Sequence, residues 1–204
     1  MRAHRIAGGL AAGALATILA GCGPAPAPPE PTSSPTESPT PTPSATAAAT
    51  ELRFVLPEDC ASALPESRIA AFEDAGLILL GGPGGKHGEH YFADPTPEEN
   101  AGGITCIWGD DETNASSITV SIAPLGATRP AIVQSLLDQG LNEAIDGDLT
   151  LYAQQGDEEV APAVLNVLRT DSWISVIQTV GGTKAFDEAI TVAEEVATVV
   201  YVPE

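Results

Sequence analysis

Apolar positions fall along this chain in three regimes. Residues 6–20 form an unbroken run of small and apolar side chains behind a short basic head, Arg2, His4 and Arg5. Residues 23–50 show no period at all. From Glu51 onward the pattern switches between the two-residue period of a strand and the 3.6-residue period of an amphipathic helix, which assigns the folded mass to residues 51–204. Residues 65–75 read as a helix with Pro65 in its first turn, Ile69 and Phe72 on one face, and Gly76 as its stop. Residues 77–80 read as a short strand, and the Gly/Pro/acid-rich residues 81–100 as a long loop. Residues 104–109 and 117–123 read as a hairpin across the polar turn 110–116. A helix over residues 129–139 follows, with Thr128 as N-cap, Ile132, Val133, Leu136 and Leu137 inward, and Gly140 at its end. Residues 149–154 make another strand, and residues 164–169 and 173–180 a second hairpin around Thr170-Asp171-Ser172. The chain closes on a helix over residues 184–200, N-capped by Thr183 and striped by Phe186, Ala189, Ile190, Ala193, Val196 and Ala197. The fold class expected from this pattern is α+β, a single antiparallel sheet with helices packed on one face.

An internal echo runs through the second half. Ser117, Ile122, Leu125, Gly126, Thr128 and Arg129 reappear 55 residues later as Ser172, Ile177, Val180, Gly181, Thr183 and Lys184. A duplicated hairpin-plus-helix unit explains this, and so does the common chemistry of strand–Gly–Thr–helix connectors.

The N-terminal run is too short to cross a bilayer as a helix, and it stops at Leu19-Ala20-Gly21-Cys22. Basic head, apolar run and a cysteine behind small residues resemble a bacterial lipoprotein signal peptide with its lipobox. The resemblance implies that residues 1–21 are removed and that Cys22 is lipidated on its sulfur, holding the protein at the extracytoplasmic face of the cell membrane. A plain secretion signal, cut so that Cys22 is lost, is the alternative. One acyl chain anchors only marginally, whereas a diacylglyceryl group gives durable attachment.

Residues 22–50 join that cysteine to a low-complexity segment. The 28 residues from Gly23 to Thr50 hold 9 Pro, 6 Thr and 4 Ser, with no Lys, Arg or aromatic residue. Such a segment cannot bury enough apolar surface to offset its ordering entropy, so a disordered tether is expected. Proline at this density favours extended chain at ~3 Å per residue, a reach of up to about 80 Å.

With Cys22 assigned to lipid, Cys60 and Cys106 remain. An even pair in an exported domain reads as a disulfide, worth roughly 4 kcal/mol through the unfolded state on the chain-entropy model. Two free thiols or a metal pair are the alternatives, disfavoured because no other soft ligand lies nearby in sequence. Charge narrows the partners further. The chain has 28 acidic and 8 basic residues, and loss of Arg2 and Arg5 with the signal leaves 6 basic against 28 acidic, a formal net charge of −22. A polyanion would be repelled, so nucleic acid is not an expected partner. The clusters Asp110-Asp111-Glu112 and Asp157-Glu158-Glu159 read as solvated turns that keep the domain soluble.

A family resemblance enters through the cysteines. Asp59-Cys60 ahead of a helix opened by Leu64-Pro65, then Cys106-Ile107-Trp108 entering a hairpin, resembles a group of actinobacterial lipoproteins of unknown function. Their exported domains share a Cys…Cys-x-Trp pattern, and they are similar in type to the extracellular sensor domains of some mycobacterial serine/threonine kinases. The likeness covers residues 52–125. It implies an envelope lipoprotein with a disulfide-clamped domain and supplies no active-site residue.

No catalytic or cofactor motif stands out. His87 and His90 with Glu89 or Asp94 offer zinc-type donors, but flanking glycines and the lack of helical spacing favour a solvent-exposed loop. Gly84-Gly85-Lys86 falls short of a phosphate-binding loop, because Leu80 stands where its first Gly belongs and His87 where Ser or Thr would hold magnesium. There is no Gly-x-Ser-x-Gly elbow, and the domain is poor in aromatic platforms for sugars. Trp108 is expected over the disulfide, and Trp173 is ambiguous. Tyr91-Phe92 is the candidate contact pair. The expectation is therefore a non-enzymatic binding or sensing module without cofactor or metal, facing an envelope protein. The alternative is a carrier for a small apolar molecule or lipid, marked by a cavity between sheet and helices.

Overall fold

The computed structural model describes residues 51–204 apart from His90. Cys22 and the proposed signal and tether lie outside these residues. The strands are β1 (Leu52–Phe54), β2 (Leu77–Gly81), β3 (Ile104–Asp110), β4 (Ser116–Pro124), β5 (Asn142–Asp146), β6 (Leu149–Gln154), β7 (Ala163–Leu168), β8 (Ser172–Gln178) and β9 (Tyr201–Pro203). The helices are α1 (Glu66–Asp74), α2 (Pro97–Asn100), α3 (Arg129–Asp138) and α4 (Thr183–Val200), with one 3₁₀ turn at Cys60–Ser62. Among the described residues no helix is long and apolar enough to cross a membrane.

The architecture is α+β, but the expected single sheet is two. Seven strands form one antiparallel sheet in the order β2-β3-β4-β8-β7-β6-β5, while β1 and β9 pair separately as a short ribbon. Three-residue strands carry too little pattern to announce themselves in sequence.

The expectation that helices cover one face also fails. Ile118, Val120 and Ile122 of β4 and Ile174 and Val176 of β8 join Phe72 of α1 and Ala189, Val192 and Val196 of α4 in the main core. The alternate residues, Ala123 of β4 and Trp173 of β8, pack instead with Leu136, Ile132 and Val133 of α3. Successive side chains of a strand point to opposite faces, so α1 and α4 lie on one face and α3 on the other. The physical reason is visible in β8, buried from Ser172 to Val176 without a break. A central strand buried on both sides needs cover on both.

This arrangement also decides the 55-residue echo. Val120 lies opposite Val176 and Ser121 opposite Ser175, so same-face partners on β4 and β8 differ by an even number. An odd offset maps Ile122, on the α4 face, onto Ile177, which lines the α3 face. The hairpins β3–β4 and β7–β8 lie in the order β3-β4-β8-β7 with β4 antiparallel to β8, so both strand order and strand direction reverse between them and only a two-fold axis normal to the sheet superposes them, which keeps faces. No rotation yields the exchange, and the echo is connector chemistry.

Thr128 stands at the N-cap position of α3 as expected, although its backbone is already helical and its hydroxyl makes no cap bond. The cap expected at Thr183 moves by one residue: Gly182, at φ 92°, occupies the cap position of α4 and Thr183 is its first helical residue. Pro65 stands at the cap position of α1 and the helix begins at Glu66. The disulfide is present: Cys60 and Cys106 are bonded, with Cα atoms 5.6 Å apart, both fully buried, tying the 3₁₀ turn to β3. Trp108 joins the same core, its ring 5.3 Å from that of Phe72. Arg68 of α1 pairs with Glu188 and Glu195 of α4, so charge also links the two helices on that face.

Candidate functional site

The α3 face carries a feature that no segment of the sequence announces by itself. Strand register lines up Thr105 of β3, Ser121 of β4, Ser175 of β8 and Asn166 of β7 side by side across the sheet. All four are buried although polar. The row continues through Tyr152 of β6 to Glu143 of β5, whose carboxylate accepts the tyrosine hydroxyl at 2.8 Å. Thr105 and Ser121 share a hydrogen bond of 3.0 Å, and Thr96, in the loop before β3, meets Thr105 at 2.7 Å. The indole Nε1 of Trp173 donates to Asn166 Oδ1 at 2.9 Å, which fixes both side chains. Buried polar groups are costly unless bonded, so five buried side chains in one register row, Thr105, Ser121, Ser175, Asn166 and Tyr152, ending on the exposed Glu143, mark this face as more than core.

Over the middle of the row lies an open cleft of about 470 Å³. Its floor is Thr119, Ser121, Ser175, Asn166 and Ile177, and its walls are α3, through Ile132, Ser135 and Leu136, and the segment from Phe92 to Glu98. That segment is held by α2. Thr96 accepts from the Glu99 amide while the Glu99 carboxylate accepts from the Thr96 amide, a reciprocal cap closed by Pro97 in the first turn. The cap aims Glu98 inward, and Glu98 retains 6% of its surface. Burial pushes its pKa above the ordinary carboxyl value, with Glu99 adding to the rise, against hydrogen bonds from its own amide, Ser175 and Thr96 that favour the charged form. The cleft thus combines a mostly apolar wall, a hydroxyl floor and one buried acid.

The residues singled out from sequence take different places. Phe92 lies along the cleft, with 47% of its surface exposed. Tyr91 turns away: its hydroxyl donates to the Asn114 carbonyl and its ring meets His87 edge-on. Tyr91 also packs so closely on Gly81 that a Cβ there would stand 2.3 Å from its own Cβ. The pair remains in contact, ring centroids 5.3 Å apart, with Tyr91 bracing Phe92. Lys86 and His87 are spent on the β3–β4 turn: Lys86 Nζ lies 2.7 Å from Asp111 Oδ1, and His87 Nε2 lies 3.0 Å from Asn114 Oδ1. Among the described residues, no group of three or more His, Cys, Asp or Glu is placed to hold a metal ion. Trp173, ambiguous in sequence, lines the cleft.

Glu98 and the hydroxyl row escaped the sequence reading. The capping signature Thr96-Pro97-Glu98-Glu99 was there to be found within the supposed loop, and Asn166 is a lone polar residue inside an apolar strand, Ala163–Leu168.

A second groove, of about 540 Å³, opens on the other face between β6, β7 and α4. Leu151, Val167, Phe186, Ile190 and Ala197 line it, together with the charged Asp146, Arg169 and Glu194. Compared with family models, with curated proteins and with solved structures, the chain matches none.

Proposed function

We propose that this chain is an envelope lipoprotein, held through Cys22 at the extracytoplasmic face of the cell membrane, whose folded domain is a non-enzymatic binding or sensing module. The observation that carries the reading is the in-register polar row on the floor of the α3-side cleft, with the buried Glu98 in its wall. Its volume falls in the range of small-molecule sites, and its apolar walls with a few convergent polar groups have the composition of such sites. Glu98 is the one ionisable side chain along that lining, among the described residues. The lipobox and the likeness to exported Cys…Cys-x-Trp domains support the placement outside the membrane. Two experiments test the proposal. Cys22→Ala should release the protein from the membrane fraction, and retention would sink the anchor. Native mass spectrometry on protein isolated from the envelope should find a bound mass that is lost in Ser135→Trp, which plugs the cleft from the exposed side of α3. A ligand that survives Ser135→Trp would remove the cleft from the reading.

The groove beside α4 supports a second reading, a carrier of a small apolar molecule or lipid. It is supported by the half-exposed apolar residues Phe186 and Ile190 facing Leu151 and Val167. Ile190→Glu should then abolish the bound mass while Ser135→Trp leaves it in place.

A further inference from the structure

Resting on that reading of the α3-side cleft, we infer that the cleft takes a small organic cation, a protonated amine carrying an apolar body, with Glu98 as its counter-ion. Glu98 keeps only 6% of its surface and lines the cleft. Among the described residues, the other side chains that line the space, from β4, β7, β8 and α3, are uncharged. Glu99, its neighbour on α2, carries the same sign. A buried carboxyl without a cation is unfavourable when ionised and becomes favourable when a cation is brought to it. The rest of the cleft fixes what that cation must look like. Hydroxyls of Ser121 and Ser175 and the amide of Asn166 offer acceptors for the remaining N–H groups. Ile132, Leu136, Val164 and Ile177 accept an apolar body, and the exposed ring of Phe92 gives the cation an aromatic face near the opening. The strongly negative domain draws cations toward it from solution. An inorganic ion would leave the apolar wall unused, and an anion would meet Glu98 without a partner charge.

The chemistry also sets the pH response. Burial holds the Glu98 proton more tightly than in an ordinary glutamate. An ammonium ligand binds the ionised form, so affinity falls as pH drops through the raised pKa of Glu98.

The test is calorimetric titration of the full chain in lipid nanodiscs with cyclohexylamine and its neutral counterpart cyclohexanol, using empty nanodiscs as reference. Cyclohexylamine should bind at least about tenfold more tightly than cyclohexanol, and Glu98→Gln should erase that difference. Equal binding of the two probes, persistence of the preference in Glu98→Gln, or no binding of the amine would each overturn the cation. The cleft itself is judged separately. Equal binding of both probes that disappears in Ser135→Trp would keep the cleft and discard the cation, whereas binding unaffected by Ser135→Trp would discard both.

Discussion

Replacing both bridging cysteines, Cys60→Ala with Cys106→Ala, should destabilise the domain mainly by releasing its unfolded chain. The bridge spans 46 residues in sequence. On the chain-entropy relation a loop of that size removes about 13–14 cal/mol/K from the unfolded ensemble, or about 4 kcal/mol at ~25 °C. Both sites are fully buried, so the missing sulfurs leave a small cavity as well, adding about 1 kcal/mol. For a domain of this size each kcal/mol moves Tm by about 2–4 °C, which sets the expected fall at about 8–16 °C or somewhat more. Guanidinium unfolding of the two proteins separates the causes. If the effect acts through the unfolded state, the variant's ensemble expands, exposes more surface and gives a steeper dependence on denaturant along with a lower midpoint. A fall below about 3 °C with an unchanged slope would refute the reasoning and assign the bridge a merely local role.

Arg68→Ala should cost about 1–2 kcal/mol in urea unfolding, less than a fully buried pair because Glu188 keeps 43% of its side-chain surface exposed. A double-mutant cycle with Glu195→Ala that shows no coupling would deny the link between α1 and α4. For Glu98 the pH dependence has a definite sign. Its folded pKa lies above the unfolded reference of 4.5, so the protonated carboxyl's contribution to stability is complete below that value and lost as pH rises through the folded pKa. Glu98→Gln, permanently neutral, should match the wild type in Tm at acid pH and exceed it increasingly toward neutrality; parallel curves would contradict the burial argument. Gly81→Ala should cost about 1–3 kcal/mol through its clash with the Tyr91 Cβ, and less in a Tyr91→Gly background. Equal costs in both backgrounds would show that the strain lies elsewhere.

Much of the fold was legible because its signals are local. The 3.6-residue stripe of α4, the alternation in β6 and the Gly140 stop after α3 each live within one segment, and the structure places those elements close to the sequence bounds. The second face was harder. Trp173-Ile174-Ser175-Val176-Ile177 is nearly continuous in apolar residues, a pattern of double burial that is easily read as a one-sided strand. β5 left no trace because Asn142–Asp146 is exposed along its whole length, so it carries no apolar alternation. The candidate site was least visible. Thr105, Ser121, Asn166 and Ser175 become neighbours only through strand register, and register is a property of pairs of segments. The disulfide could be read by counting cysteines; a row of hydroxyls cannot be counted that way.

The small ribbon of β1 and β9 gives the domain a mechanical character. Leu52 lies opposite Pro203 and Phe54 opposite Tyr201, and the Val55 amide donates to the Val200 carbonyl at 2.8 Å, so the first residues after the N-terminal region are zipped to the last residues of the chain. A pull arriving through residue 51 reaches this zipper before it reaches the main core. Releasing three residues adds about 10 Å of slack, a short fuse that gives way while the seven-stranded sheet and its clefts stay whole. The same adjacency puts any C-terminal fusion beside the point where a pull enters. A label meant to leave that clasp undisturbed belongs in an exposed turn such as Asp157–Val160, not at Glu204.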